Sequence, residues 1–181
     1  FIFGRLRTSS NYDDTEDRAV VGTNGVGAGL TNCFSKSYKV TTADKKNTVT
    51  IEWKNNMRDC INHGTPKSCS AHFTQTEFIV DFDKFNIKKH CFGSDFVNII
   101  HKRCIDAAAA NPGLTVRFQT NGYSQKWKFK SFDEYIDLYR EYLNIQDKIL
   151  FKNSLCSAII FPDSNVDIGF VNGAECSKGT H

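Results

Sequence analysis

A chain of 181 residues, 40% of them hydrophobic, has room for one domain or two small ones and enough apolar surface for a core, which excludes a disordered segment. Its net charge of +3 permits contact with a polyanion without arguing for one, and it carries no long basic run of the nucleic-acid tail kind. Seven cysteines, an odd number without the rhythm of a disulfide scaffold, point to a reducing, intracellular setting. The sequence has no signal-peptide apolar region and no apolar stretch of bilayer length, which points away from a membrane. It starts at Phe1 and ends on the turn-like Ser177-Lys178-Gly179-Thr180-His181, and is expected to be a piece of something longer.

Residues Phe1 to Asp17 are polar and turn-rich after a short apolar start and read as a surface loop, either a lid over a site or a plain connector. Next comes RAVVGTNGVGAGLTNCFS, Arg18 to Ser35, with four glycines between a short apolar run and a helix-like run. Val20 and Val21 are expected to finish a strand, and Leu30 to Phe34 to start a helix. A helix entered through glycines offers unpaired N–H groups and a positive dipole end to an anion. The stretch has no Gly-Lys-Ser/Thr ending and so is no P-loop. Leu30 stands where a Rossmann fingerprint needs its third glycine, and no acidic residue closes a second strand at the required distance. A tight turn with no ligand is the alternative to an anion cradle.

Two alternating runs, Ser37 to Thr42 and Asn47 to Lys54, predict a β-hairpin with Val40, Val49, Ile51 and Trp53 facing inward. Residues 55–76 read as an irregular loop. Within them Cys60, His63, Cys69 and His72 are weak candidates for a zinc site, since two Cys and two His can coordinate tetrahedrally but these spacings are not the usual ones. Thr76 to Asp83 alternates as a strand around Phe78, Val80 and Phe82. A helix is predicted from Ser94, as its N-cap, to Ala110, with Val97, Ile100, Cys104 and Ala108 as its buried stripe and His101 as a structural histidine beside it.

Leu114 to Thr120, the turn Asn121-Gly122, and Tyr123 to Lys130 form a second hairpin. Ser131-Phe132-Asp133-Glu134 has the form of a capping box opening a helix whose aromatic stripe, Phe132, Tyr135, Leu138, Tyr139 and Tyr142, belongs in a core. Two last strands, Leu155 to Phe161 and Val166 to Asn172, join through Pro162-Asp163-Ser164-Asn165. Strand pairs interrupted by single helices give the α+β class.

Several separated motifs then fall into one order. Phe3-Gly4 with Thr8-Ser9-Ser10-Asn11-Tyr12-Asp13-Asp14 precedes Gly22-Thr23-Asn24-Gly25-Val26-Gly27-Ala28-Gly29 and Leu30-Thr31-Asn32-Cys33-Phe34-Ser35. Asp83-Lys84-Phe85, Asn121-Gly122, Phe132 to Tyr139, Phe170-Val171-Asn172 and Lys178-Gly179-Thr180-His181 follow. This order resembles the ATPase region of type IIA DNA topoisomerases, of the eukaryotic and viral or phage type more than bacterial gyrase. The resemblance implies the C-terminal part of a GHKL (Bergerat) ATPase fold over residues 1–130 and the start of a ribosomal-S5-domain-2-like transducer over 131–181. It implies that Ser9, Ser10 and Asn11 contact the sugar and phosphates of ATP, and that Gly22, Thr23, Asn24, Gly25, Val26, Gly27, Ala28 and Gly29 wrap the triphosphate.

The family writes its glycine motif G-R-N-G-x-G-A-K, so Thr23 and Gly29 replace an arginine and a lysine, two positive phosphate contacts. By the resemblance the general-base glutamate and the Mg2+-binding asparagine lie upstream of Phe1, and the transducer Gln-Thr-Lys loop lies downstream of His181. The 181 residues therefore hold no catalytic residue and are expected not to hydrolyse ATP alone. The implied whole enzyme is a homodimer that passes one DNA duplex through a break in another, working where DNA is handled, in a nucleus or in a host cytoplasm. The alternatives are another GHKL ATPase of the mismatch-repair or chaperone type, and a non-catalytic GHKL-derived scaffold.

Overall fold

In a computed structural model of the chain the described residues are 1–13, 15, 22–145, 149–152, 157–162, 169–171 and 174–176. They fall into two compact units, one ending at Cys91 and the other beginning at Phe92. The junction expected at residue 130 lies inside the second unit. Among the described residues no helix is long and apolar enough to cross a membrane. Val20, Val21 and the acidic run beyond Asp13 lie outside the described residues.

The first unit is built on an antiparallel sheet. Helix α1 (Gly27–Cys33) leads into β1 (Ser35–Asp44) and β2 (Asn47–Lys54), followed by β3 (Asp59–Asn62), β4 (Lys67–Ser68) and β5 (His72–Val80). The strand order is β3-β2-β1-β5, with β4 pairing β2. The predicted hairpin is present, and its register sets Tyr38 opposite Trp53 and Val40 opposite Ile51. Tyr38, Val40 and Trp53 are buried there, with Phe3, Ile51, Met57 and Cys60 packed against them. Its turn depends on Asp44, whose carboxylate accepts the Lys46 and Asn47 N–H groups at 3.0 and 2.8 Å. Those two bonds hold the Asp44 carboxyl below its ordinary pKa.

Three expectations for this unit are corrected. Helix α1 starts at Gly27 rather than Leu30, because Leu30 N–H already reaches the Val26 carbonyl at 2.8 Å. Residues 55–76 are not one irregular loop, since β3, β4 and the start of β5 lie within them; pairing to β2 and β1 orders polar residues that show no strand alternation. Strand β5 ends at Val80 and a 3-10 turn covers Phe82–Phe85, because the Asp81 N–H turns back to the Phe34 carbonyl at 2.9 Å.

The second unit comprises α2 (Ser94–Ala110), β6 (Val116–Thr120), β7 (Tyr123–Trp127), α3 (Phe132–Leu143), β8 (Ile149–Lys152), β9 (Ser157–Ile160), β10 (Gly169–Val171) and β11 (Ala174–Cys176). Its core joins Ala108 and Ala109 of α2 to Phe129 and Tyr135, with Ile105, Val116 and Trp127 around them. The α2 limits are as predicted, but Gly93 is the N-cap, so Ser94 opens the helix instead of capping it. Of the expected stripe, Ile100 is exposed and Ala108 buried, while Asp106, outside the stripe, is buried on α2. His101 is structural as expected: Trp127 Nε1–H donates to its Nε2 at 3.2 Å, and its ring stacks on Phe118 at 4.5 Å.

The second hairpin closes through Asn121-Gly122, where Gly122 at φ +76° needs the freedom of glycine. At α3 the capping box is incomplete. Ser131 makes no side-chain cap bond, and Glu134 accepts the Lys130 N–H at 2.9 Å. Tyr142, at 85% exposed, is outside the core. The expected pairing of the last two strands is also corrected: β9 pairs with β8 and β10 with β11. Strands β8 and β11 were not among the expected elements, and residues 163–165 of the expected turn lie outside the described residues.

Candidate functional site

The two stretches singled out in the sequence lie against each other in the first unit. Phe3 anchors the earlier one, its ring 6.3 Å from the buried Tyr38 and its carbonyl accepting the Asn32 amide of α1 at 3.1 Å. From there the chain runs along the glycine stretch in the opposite direction. A Cβ on Gly29 would lie 2.9 Å from the Arg5 carbonyl oxygen and 2.7 Å from Leu6 Cδ2. Thr8 donates its N–H and its hydroxyl to the Gly25 carbonyl at 3.3 and 3.2 Å. Asn11 donates its side-chain amide to the Gly22 carbonyl at 2.8 Å, and the Tyr12 hydroxyl bonds the Asn24 carbonyl at 3.0 Å.

Gly25 is the position that permits this approach. Its φ is +59°, and a Cβ there would lie 2.3 Å from Ser9 N. No side chain that could move occupies that space, only backbone, so the requirement for glycine is absolute in this geometry. Ser9 is half-buried and its Oγ accepts the Asn11 N–H at 3.0 Å; Ser10 is exposed and donates to Asn11 Oδ1 at 3.3 Å. Gly22, Asn24 and Gly27 are exposed, while Thr23, Gly25, Val26 and Ala28 are half-buried.

Gly22 and Gly27 have nothing within 4 Å of where a Cβ would stand. These two glycines border open space, whereas Gly25 and Gly29 serve close packing. The backbone at Gly22 and Gly27 is therefore open to approach by a ligand from that side. Helix α1 is only seven residues long, so the N–H groups of the loop carry more of any anion contact than its dipole does. Among the groups beside the loop, Asp13 is held ionised below its ordinary pKa by the Thr15 hydroxyl and N–H. Sequence reasoning left Thr8 and Tyr12 out of the candidate site. Their signal was weak, since neither hydroxyl is marked by spacing, only by its place beside Ser9-Ser10-Asn11.

The Cys/His candidates do not converge. Cys60 Sγ lies 3.5 Å from His63 Nδ1, Cys69 Sγ accepts the Ala71 N–H at 3.4 Å, and His72 stands opposite Asp44 in the sheet. Among the described residues no group of three or more His, Cys, Asp or Glu side chains is placed to hold a metal ion.

No family model matches the chain. It is 34% identical over 142 residues, 76% of its length, to DNA topoisomerase 2 of Trypanosoma cruzi, and 32% identical over 186 residues, 98% of its length, to DNA topoisomerase 2 of Invertebrate iridescent virus 6. These alignments cover 11% and 16% of those two proteins. The crystal structure of the ATPase region of Saccharomyces cerevisiae topoisomerase II superposes with a TM-score of 0.76 at 30% identity, over 96% of this chain and 46% of that one. The chain belongs with the ATPase regions of type II DNA topoisomerases. Its fold is accordingly the α+β GHKL fold of topoisomerase II, as the motif order implied.

Gly29 stands where the glycine motif that the sequence resembles has a lysine, and the structure gives this glycine a packing reason. Alanine in place of glycine ordinarily stabilises a helix interior by about 1 kcal/mol. At Gly29 a Cβ would press on the Arg5 carbonyl, and overpacking of this kind costs about 1–3 kcal/mol. The second effect outweighs the first, so Gly29→Ala is expected to lower the melting temperature; an unchanged or raised midpoint would contradict the packing seen here.

Proposed function

We propose that this chain contributes half of the ATP pocket of a type II DNA topoisomerase, with Ser9, Ser10 and Asn11 on one side and Gly22 to Gly29 on the other. The observation that carries this reading is the joining of the two stretches at Thr8–Gly25 and Asn11–Gly22, beside the open faces of Gly22 and Gly27. When bound, ATP with Mg2+ supplies the phosphoanhydride whose hydrolysis drives the enzyme's cycle. The residues of this chain would hold and orient it: loop N–H groups would meet the phosphates, and Ser9, Ser10 and Asn11 would contact the sugar and phosphates. The general base and the metal ligands belong to other parts of the enzyme, and the 181 residues alone do not hydrolyse ATP.

In the same reading residues 131–181 begin the transducer, and the whole protein is a homodimer acting on double-stranded DNA inside the cell. A second reading, a scaffold that has lost nucleotide binding, is favoured by the missing cations at Thr23 and Gly29.

One substitution separates the two readings. A Cβ on Gly27 meets nothing within 4 Å, so Gly27→Val is expected to fold normally while filling the space a ligand would take. In the full-length protein, a fluorescent ATP analogue should bind the wild type and fail to bind this variant, with unchanged circular dichroism. Absence of binding by the wild type would leave the scaffold reading.

A further inference from the structure

The contacts Arg5–Gly29, Thr8–Gly25 and Asn11–Gly22 form an antiparallel series in which residues 5–11 track the glycine loop. This series passes both places, Thr23 at one end and Gly29 at the other, where the motif that the sequence resembles has a cation. Two cations lie on the tracking segment itself. Arg5 is engaged elsewhere, its guanidinium carbon 5.0 Å from the centre of the Phe1 ring. Arg7 is exposed, and it makes no ion pair among the described residues. Its Cα is one peptide unit from Thr8 N, which lies 3.3 Å from the Gly25 carbonyl.

Arg7 also adopts φ +59°, a left-handed conformation that non-glycine residues take only where the surroundings impose it. The Thr8–Gly25 bonds that follow it hold Arg7 at the loop in this conformation. A guanidinium on a long flexible stem, fixed at its base between two lost charges, is suited to bind phosphate oxygens through paired N–H groups.

We infer that Arg7 is the phosphate-contacting cation of this site and replaces the charges absent at Thr23 and Gly29. The ligand class is a nucleoside polyphosphate, and the inference rests on the nucleotide reading of the site. Any side chain at position 29 would have to displace Arg5 and Leu6, which Arg7 does not.

The test compares binding of a non-hydrolysable ATP analogue and of adenosine to the full-length wild type and to Arg7→Gln, Arg7→Lys and Lys67→Gln. Arg7→Gln should weaken analogue binding by about ten- to a hundredfold, the loss of a charge-assisted contact, while adenosine binding stays level and reports an intact pocket. Arg7→Lys should fall between, and Lys67→Gln, a matched charge loss on β4, should bind as wild type. Raising ionic strength should weaken the analogue less in Arg7→Gln than in wild type. If Arg7→Gln binds the analogue like wild type, the inference is overturned and the nucleotide reading stands. If the wild type binds neither molecule, the nucleotide reading fails and takes the inference with it.

Discussion

Gly25→Ala is expected to part the two stretches of the site and remove nucleotide binding from a chain that keeps its sheet. Left-handed backbone costs a non-glycine residue about 1–2 kcal/mol. The added methyl would also lie 2.3 Å from Ser9 N, and no change of rotamer relieves a clash between Cβ and backbone. Relief comes only by moving Thr8 and Ser9 away, which breaks both Thr8 bonds to the Gly25 carbonyl, each worth about 0.5–1.5 kcal/mol. Hydrogen exchange should rise at residues 8–11 and 22–25 while the amides of β1 and β2 keep their protection. A variant that binds the fluorescent analogue with wild-type affinity would show that the junction has no part in the site.

The second large effect lies at Asp106 and Tyr135. Tyr135, at 1% exposed, donates its hydroxyl to Asp106 Oδ1 at 2.9 Å and lies 3.1 Å from the Tyr139 hydroxyl. Lys102 Nζ donates to Asp106 Oδ2 at 2.7 Å. Asp106→Ala removes the carboxylate that receives both donors, and breaking a buried pair costs about 3–5 kcal/mol. The lower end applies because Lys102 is itself partly exposed. Tyr135→Phe, which keeps the ring, should cost about 1–3 kcal/mol. Loss of less than half a kilocalorie in either variant, measured by denaturant unfolding, would rule out this network as a main support of the second unit.

The same network predicts an alkaline limit. Burial first, then the bonds to Tyr139 and Asp106, push the Tyr135 phenol well above its ordinary value of 10.0. A group whose folded pKa is raised contributes stability that is complete below the unfolded pKa, here about pH 10, and is lost as pH rises toward the folded value. Stability should therefore fall above pH 10, and Tyr135→Phe should fall less steeply there. Equal slopes for the two proteins would exclude Tyr135 as the cause.

The elements legible in the sequence were those with strong local signals. The hairpin β1–β2 was marked by alternation around Val40, Ile51 and Trp53, and α2 by helical spacing and the stop at Asn111-Pro112-Gly113. Strands β3 and β4 were hidden because Asp59–Asn62 has adjacent Cys60 and Ile61 with no alternation and Lys67–Ser68 is polar and only two residues long, so only their pairing to β2 creates them. Asp106 and Tyr142 show the same limit from the other side. Helical spacing places a residue on a face but does not say whether a carboxylate there meets a buried phenol, or whether the face ends before Tyr142. At the site, the glycines were visible but not their division of labour. That Gly25 and Gly29 make room for residues 5–9, while Gly22 and Gly27 border open space, depends on contacts between stretches far apart in sequence.

The pairings of Thr8 with Gly25, Asn11 with Gly22 and Tyr12 with Asn24 clasp the chain on either side of the segment between Asp13 and Gly22. Because the bonds at this neck run between the two stretches themselves, the surface offered to a ligand is set where residues 8–12 meet residues 22–25.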